Sequence, residues 1–171
     1  SNVTAVEGMF SGCPLTNVNN MVVNVVGSIN GLFKGCNKLV EINTLKIPNV
    51  TDIANVFNGC SVLSTLSGFA LPLSCTNVSN LFNGCYMLTT LDNFTFGKDI
   101  SEATNWHPPY IENLNGITIN NSAVKLKDVT TLISVRGMII NGEDMSDLFN
   151  GCTSLQEAYV TIGKNVRSMA R

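Results

Sequence analysis

The chain has 171 residues, of which 44% are apolar and only 13% charged, and its formal net charge is −2 at neutral pH. Its ten Lys and Arg residues form no basic run, which argues against a nucleic-acid-binding protein, since such proteins contact phosphates with clustered positive charge. No segment approaches the ~18 uninterrupted apolar residues that span a bilayer. Instead, the polar surface must come mainly from Asn, Ser, Thr and Gly.

A Phe-x-Gly-Cys tetrapeptide recurs along the chain and defines an internal repeat. It begins at Phe10, Phe33, Phe57, Phe82 and Phe149. The first four copies are 23, 24 and 25 residues apart. Trp106 and Leu126 fill the longer gap before the last copy, at spacings of 24 and 20 residues. We therefore expect seven anchor positions, one in each of about seven coils of 20–25 residues.

Apolar residues before each anchor follow a helical spacing. In the third unit they are Val50, Ile53, Val56, Phe57 and Cys60, which would share one side of a short helix. Val26 and Ile29 begin the same series in the preceding unit. This spacing predicts a short helical turn in every coil.

A Leu-x-x-Leu segment after each Cys predicts a short strand. Examples are Leu39 with Ile42 and Leu63 with Leu66. Strands from successive coils would pair in parallel and bury their apolar residues against neighbouring coils. The predicted fold is an α/β solenoid of the leucine-rich-repeat class, with parallel strands on one face and helical turns on the other. We expect residues 1–171 to form a single domain.

The repeat resembles a known family. Phe-Asn-Gly-Cys-x-x-Leu, preceded by Asn-Val-Thr-Asp-Ile (residues 49–53) or Asn-Val-Ser-Asn-Leu (77–81), is similar to the BspA-like leucine-rich repeats of bacterial and mycoplasmal surface proteins. The resemblance is clearest in residues 26–100 and 143–171. It implies an extracellular or cell-surface protein that contacts proteins or glycans of a host or neighbouring cell.

Two coils, in residues 98–142, depart from the pattern. His-Pro-Pro follows Trp106 in place of x-Gly-Cys, and Lys127 and Asp128 follow Leu126. Both ends of the chain also fall within a repeat. We therefore expect a fragment of a longer array, whose ends pack on further repeats or another chain.

The residues capable of chemistry follow the repeat and form no catalytic constellation. Five of the six cysteines recur at one repeat position and are predicted to be buried free thiols, too far apart in sequence for a local zinc motif. His107 is the only histidine, and no nucleophile motif surrounds it. We predict neither enzymatic activity nor a metal or cofactor.

The candidate binding face is the outward side of the predicted strands, because side chains alternate along a strand. It contains Glu41, Asn43, Thr65, Ser67, Thr90, Asp92, Glu157 and Tyr159. The alternative is a solvated polar row that binds nothing.

A candidate aromatic loop contains Trp106, His107 and Tyr110, either as a protruding patch or with Trp106 in the Phe position of the core. Two functions remain open: a protein- or glycan-binding adhesion module, and a structural spacer or virion-type appendage without a ligand.

Overall fold

A computed structural model describes residues 6–168 of the chain. Its regular secondary structure consists of short strands, which are β1 (Asn17–Val22), β2 (Gly27–Ser28), β3 (Glu41–Lys46), β4 (Val50–Asp52), β5 (Thr65–Phe69), β6 (Thr90–Asp92), β7 (Thr95–Phe96), β8 (Asn113–Asn115), β9 (Thr118–Ile119), β10 (Ser134–Ile140) and β11 (Glu157–Ile162). Strands of successive coils lie side by side, and the paired strands run parallel. The protein is a parallel β-solenoid, because the chain returns to the same place in each turn in the same direction.

The strands form three sheets. The first contains β1, β3 and β5, the second has the order β6-β8-β10-β9-β7 with β11 also paired to β10, and the third is the pair β2-β4. Glu41 lies opposite Thr65 in the first sheet. In the second, Asn113 lies opposite Ser134. Equivalent positions of successive repeats therefore lie next to one another.

The main strands bend in the middle. Thr44 has a positive φ of 91°, and the inward residues on either side of it, Ile42 and Leu45, are both buried. Residues three apart on a flat strand would point to opposite faces, so the bend allows both to reach the core. Equivalent bends occur at Asn20, Gly68, Asn93, Gly116 and Gly137.

The segments predicted to be helical turns are not helices, and residues 6–168 contain no helix. Their backbone donors alternate in direction. Leu32 donates its N–H to the Ile29 carbonyl within the coil at 3.0 Å, whereas Phe33 donates to the Val56 carbonyl of the next coil at 3.0 Å. A helix would keep these bonds within one segment. The alternation instead joins the coils by backbone hydrogen bonds on this side as well.

Left-handed residues make the alternation possible. Asn55 and Gly59 flank Phe57 with φ values of 59° and 77°. Glycine adopts this region without steric cost, and Asn tolerates it better than most residues. A Cβ at position 59 would also lie 3.5 Å from the Cα of Gly35 in the preceding coil. The Gly of the repeat therefore belongs to a left-handed turn.

The anchor phenylalanines form a continuous stack. The rings of Phe10, Phe33, Phe57 and Phe82 are nearly parallel, with centroids 5.6, 5.9 and 5.6 Å apart. Phe33, Phe57 and Phe82 are at most 1% exposed. Phe10 and Phe149 are only partly buried, because they lie in the outermost described coils.

The cysteines form a second column beside this stack. Cys60 Sγ donates a hydrogen bond to the carbonyl of Phe33, one coil earlier, at 3.2 Å. The equivalent bonds are Cys36 to Phe10, Cys85 to Phe57 and Cys152 to Leu126. Burial raises the pKa of the Cys60 thiol to about 12. Within residues 6–168 all six cysteines are free.

Two further sequence predictions need correction. The seven anchor positions bound six intervals, so the solenoid makes about six turns and not seven. Val26 is 76% exposed, and its neighbour Val25, 4% exposed, takes the inward position. The reason is a bend at Val26 immediately before β2.

Candidate ligand-binding face

The eight predicted face residues lie on the outward side of the main strands, and none is buried. Asn43, Thr65, Ser67, Asp92 and Tyr159 are exposed, and Glu41, Thr90 and Glu157 are partly exposed. Inward neighbours such as Ile42 and Leu91 are at most 1% exposed. The strand alternation therefore separates a polar outer surface from the core.

These residues do not form one continuous sheet surface. Four lie on β3 and β5 and four on β6 and β11, and among the described strands none links β5 to β6. We call the outward residues of β1, β3 and β5 the first strip: Asn17, Asn19, Glu41, Asn43, Thr65 and Ser67. Those of β6, β8, β10 and β11 form the second strip: Thr90, Asp92, Asn113, Asn115, Ser134, Arg136, Glu157 and Tyr159. Among them Ser134 is only 5% exposed and donates its hydroxyl to Asn113 Oδ1 at 2.8 Å.

Four members of the second strip lie on the irregular coils and were not predicted: Asn113, Asn115, Ser134 and Arg136. Their strands pair in register with β6 and β11. Counting one repeat length forward from Thr90 and Asp92 would have reached Asn113 and Asn115. The repeat spacing alone was therefore sufficient to predict Asn113 and Asn115.

Hydrogen bonds connect side chains across the rungs of the second strip. Asn115 donates through Nδ2 to Asp92 Oδ1 at 2.8 Å. Arg136 forms a salt bridge with Glu157, with 2.6 Å between Nη2 and Oε2. The bond to Glu157 raises the pKa of the Arg136 guanidinium, so the group stays charged over the physiological range.

The chemistry of the second strip changes from rung to rung. One register column runs Asp92, Asn115, Arg136 and Tyr159. It presents an acid, an amide, a cation and an aromatic ring in sequence, and Tyr159 is 66% exposed. The equivalent column of the first strip is Asn19, Asn43 and Ser67, with amide and hydroxyl groups alone.

A pair of tyrosines lies on the loops that lead into β6 and β8. Tyr86 and Tyr110 are 52% and 53% exposed, and their ring centroids are 5.8 Å apart. Met87 beside them is 59% exposed. Tyr110 was predicted as part of an aromatic loop, whereas Tyr86 was missed because it stands at an ordinary loop position of the repeat.

Trp106 of the predicted aromatic loop is not on the surface, since it is only 1% exposed. Its ring packs edge-on against Phe96 with centroids 4.6 Å apart. Its indole N–H donates to the Lys125 carbonyl at 2.9 Å. Trp106 therefore contributes to the core and not to a protruding patch.

The backbone register shows that Trp106 does not occupy the Phe position. Phe57 donates its N–H to Leu81, the residue before the next anchor, whereas Phe82 donates to Trp106 itself. Trp106 is thus one position early, and its assignment as an anchor is wrong by one residue. Two prolines follow it and cannot adopt the positive φ of the usual glycine.

Leu126 does occupy the anchor register. It donates its N–H to Leu148, the residue before Phe149, at 3.0 Å. Asp128 takes the position of the glycine with a φ of 61° and donates its N–H to Asn150 at 2.7 Å. This coil keeps the regular backbone although its sequence departs from the repeat.

His107 lies between the core and a cleft of about 400 Å³ that is also lined by Asn105 and Lys125. Its Nδ1 is 3.0 Å from the Pro108 carbonyl, and its ring stands perpendicular to that of Trp106. Burial lowers the pKa of His107. These contacts position the imidazole as part of the loop structure.

Residues 6–168 contain no cluster of three or more His, Cys, Asp or Glu side chains arranged to hold a metal ion. The same part of the chain has no helix of the length and hydropathy needed to cross a membrane.

Residues 4–132 match the family described as "Mycoplasma protein of unknown function, DUF285". The chain belongs to this family. The match extends through Trp106 and Leu126, so residues 98–132 of the irregular coils lie within the DUF285 region. The coil of Phe149 repeats the same backbone pattern beyond it.

Among solved structures, this DUF285 chain is similar to a leucine-rich repeat protein from Bacteroides ovatus ATCC 8483. The sequence identity is 16% and the TM-score 0.32, and the comparison covers 99% of this chain and 67% of the other. A search of curated proteins found no match.

Proposed function

We propose that this chain is an extracellular recognition module of the BspA-like leucine-rich-repeat type, which binds proteins or glycans of a host or neighbouring cell. Its binding surface is the second strip together with Tyr86 and Tyr110. The proposal includes no catalytic step and no cofactor.

The observation that carries this proposal is the contrast between the two sides of the same strands. Inward positions keep one chemistry, as in Leu91, Leu114 and Val135. The outward column from Asp92 to Tyr159 changes chemistry on every rung. Packing requires the inward uniformity, but solubility alone would not require outward variety. A surface that recognises a specific partner would.

The tyrosine pair supports the same interpretation. Each ring leaves about half of its surface exposed although the two rings contact each other. Tyrosine combines a large apolar face with a hydroxyl and is enriched at the energetic centres of interfaces. A sugar ring or an aromatic side chain could pack against the two rings while the hydroxyl groups form hydrogen bonds.

Binding to a panel of extracellular-matrix proteins and glycans tests the proposal. The test variant combines Arg136→Ala with Tyr159→Ala, and the matched control combines Asn19→Ala with Asn43→Ala in the first strip. We expect the test variant to weaken binding by about tenfold or more, as for residues at the centre of an interface. The control should bind like the unmodified chain. If both variants bind equally well, the second strip is not the binding surface.

A structural spacer is the second candidate. The observation that favours it is the first strip, whose column of Asn19, Asn43 and Ser67 offers the same neutral chemistry on each rung. Such a row is well hydrated without recognising a partner. The absence of binding to every member of the panel, with the fold intact by circular dichroism, would support the spacer.

A further inference from the structure

The tetrapeptide Phe-Asn-Gly-Cys occurs three times, at residues 57–60, 82–85 and 149–152. In an Asn-Gly pair the glycine amide nitrogen can attack the Asn side-chain amide, because glycine has no side chain to hinder the approach. In the regular coils this nitrogen forms a hydrogen bond with the next coil. Gly59 donates its N–H to the Asn83 carbonyl of the next coil at 2.8 Å. That bond keeps the Gly59 nitrogen away from the Asn58 side chain.

Gly84 lacks this partner. Two residues earlier Phe82 donates to Trp106, so the acceptor in register for Gly84 would be the Pro108 carbonyl. That carbonyl lies 3.0 Å from His107 Nδ1 and accepts the N–H of Ile111 at 3.4 Å. In the part of the chain that the structure describes, the Gly84 N–H donates no backbone hydrogen bond. The His-Pro-Pro sequence of the next coil accounts for the difference.

The two asparagine side chains also differ. Asn58 donates through Nδ2 to Asn55 Oδ1 at 3.0 Å, and Asn150 donates to Asp147 Oδ1 at 3.2 Å. The corresponding partner position for Asn83 is held by Asn80. No hydrogen bond of the Asn83 side chain occurs in the described structure, and the residue is exposed. Both groups that would have to react are therefore unrestrained at Asn83-Gly84.

We propose that Asn83-Gly84 is a site of intramolecular deamidation in the folded protein. The Gly84 nitrogen forms a bond to Asn83 Cγ, the bond from Cγ to the side-chain nitrogen breaks, and the Gly84 amide proton leaves with that nitrogen as ammonia. Water then adds to either carbonyl of the resulting cyclic imide and opens it. The products are aspartate or isoaspartate at position 83, with ammonia exchanged for water overall.

The location gives the modification a structural consequence. Position 83 lies at the junction between the regular coils and the Trp106 coil. Aspartate adds a negative charge there, and isoaspartate adds a methylene to the backbone between Phe82 and Gly84. The longer backbone disturbs the alternation of donors that places Phe82 in the ring stack.

Peptide mapping after incubation of the whole chain at mildly alkaline pH measures the conversion at each site. We expect Asn83 to convert at least about tenfold faster than Asn58, the factor associated with releasing one hydrogen-bonded amide. Asn58 is a matched internal control, since its flanking residues Phe, Gly and Cys are identical. In concentrated urea the two sites should convert at equal rates. Asn83→Gln should abolish the rapid phase.

Hydrogen exchange provides a second and independent readout. The amide of Gly84 should exchange faster than that of Gly59, because only the latter is hydrogen-bonded. Equal conversion of Asn83 and Asn58 in the folded chain would overturn the proposal. So would equal protection of the two glycine amides, or a difference in conversion that persists in urea.

Discussion

The regular coils of residues 27–96 and the irregular coils of residues 98–142 bury their apolar residues equally well but satisfy their backbone differently. In the regular coils each coil donates every second N–H of the turn segment to its neighbour, with the exception of the Gly84 N–H. Between residues 103–109 and 123–129 of the described chain, no backbone hydrogen bond is formed. One side chain bridges this gap instead: the indole N–H of Trp106 donates to the Lys125 carbonyl. Lys125 Nζ in turn donates to the Ser146 carbonyl of the following coil at 2.8 Å.

This difference shows what the repeat sequence encodes. Leu126 and Trp106 are both inward and both at most 1% exposed, although neither is part of the Phe ring stack. What the Trp106 coil loses is the left-handed residue at the glycine position, whereas the Leu126 coil keeps one in Asp128 and still donates to the next coil. A large apolar residue is sufficient to fill the core, but the hydrogen-bonded ladder requires the turn residues as well.

The largest expected effect comes from removing one phenylalanine ring from the stack in the regular region. Phe57→Ala removes a ring that contacts Phe33 and Phe82, and it should lower the free energy of unfolding by about 3–5 kcal/mol. Urea unfolding followed by circular dichroism measures the change. Phe10→Ala is the matched control and should cost clearly less, because Phe10 is only partly buried. A loss below about 1 kcal/mol for Phe57→Ala would contradict its position in the core.

Alkaline pH should destabilise the regular region through its thiol column. Burial raises the pKa of Cys60 from 9.0 to about 12, so the folded chain keeps a proton that the unfolded chain loses. The stability contributed by this group is therefore full below pH 9 and falls as the pH rises toward 12, by up to about 4 kcal/mol. Urea unfolding at a series of pH values measures the slope.

Cys60→Ala should make this pH dependence shallower. Val129→Ala is the control, since Val129 takes the equivalent position after Leu126 and has no titratable group. It should lower the stability without changing the slope. An unchanged slope for Cys60→Ala would mean that the Cys60 thiol titrates normally in the folded chain.

The hydrogen bond from Trp106 to Lys125, which joins the two irregular coils, should contribute less to stability than one phenylalanine ring of the stack. Trp106→Phe keeps an aromatic ring but leaves the Lys125 carbonyl without its donor, and we expect a loss of about 1–2 kcal/mol. Hydrogen exchange should show the increase in opening mainly in residues 98–142. An increase spread equally over residues 27–96 would show that the two regions do not differ in this way.

The sequence predicted every anchor except Trp106, and the outward alternation, because both depend on side-chain chemistry that recurs from copy to copy. It did not predict the path of the turn segments. The spacing of Ile53, Val56, Phe57 and Cys60 fits a helix, whereas Asn55 and Gly59, two residues before and after Phe57, adopt the left-handed conformation that produces the turn. The prediction failed because a left-handed residue serves both a helix end and an alternating turn.

Other features depend on pairings between coils that no single repeat contains. Trp106 is displaced by one residue because the Phe82 N–H pairs with the Trp106 carbonyl and because prolines follow in the same coil. The separation of the first strip from the second arises where β5 and β6 do not pair. The outward residues of the candidate site could thus be predicted one by one, but their division into two surfaces could not.

The smallest expected effect concerns the Leu126 coil. It tests whether the residue that replaces glycine in this coil lowers the stability of the chain. Asp128 has a φ of 61° at a position where the regular coils use glycine. A residue with a Cβ is disfavoured there, and glycine is not. Asp128→Gly should therefore raise the free energy of unfolding by about 0.5–1 kcal/mol. Thermal and urea unfolding would both detect it.

Gly59→Asp is the reciprocal control for this change, because it introduces an acidic side chain at the same repeat position in the regular region. It should destabilise the chain by at least as much as Asp128→Gly stabilises it, since Gly59 has a φ of 77° that disfavours any residue with a Cβ. If Asp128→Gly instead lowers the stability, the carboxylate of Asp128 contributes an interaction that outweighs its backbone cost. In that case the irregular coil is adapted to its own sequence and is not a weakened copy of the regular one.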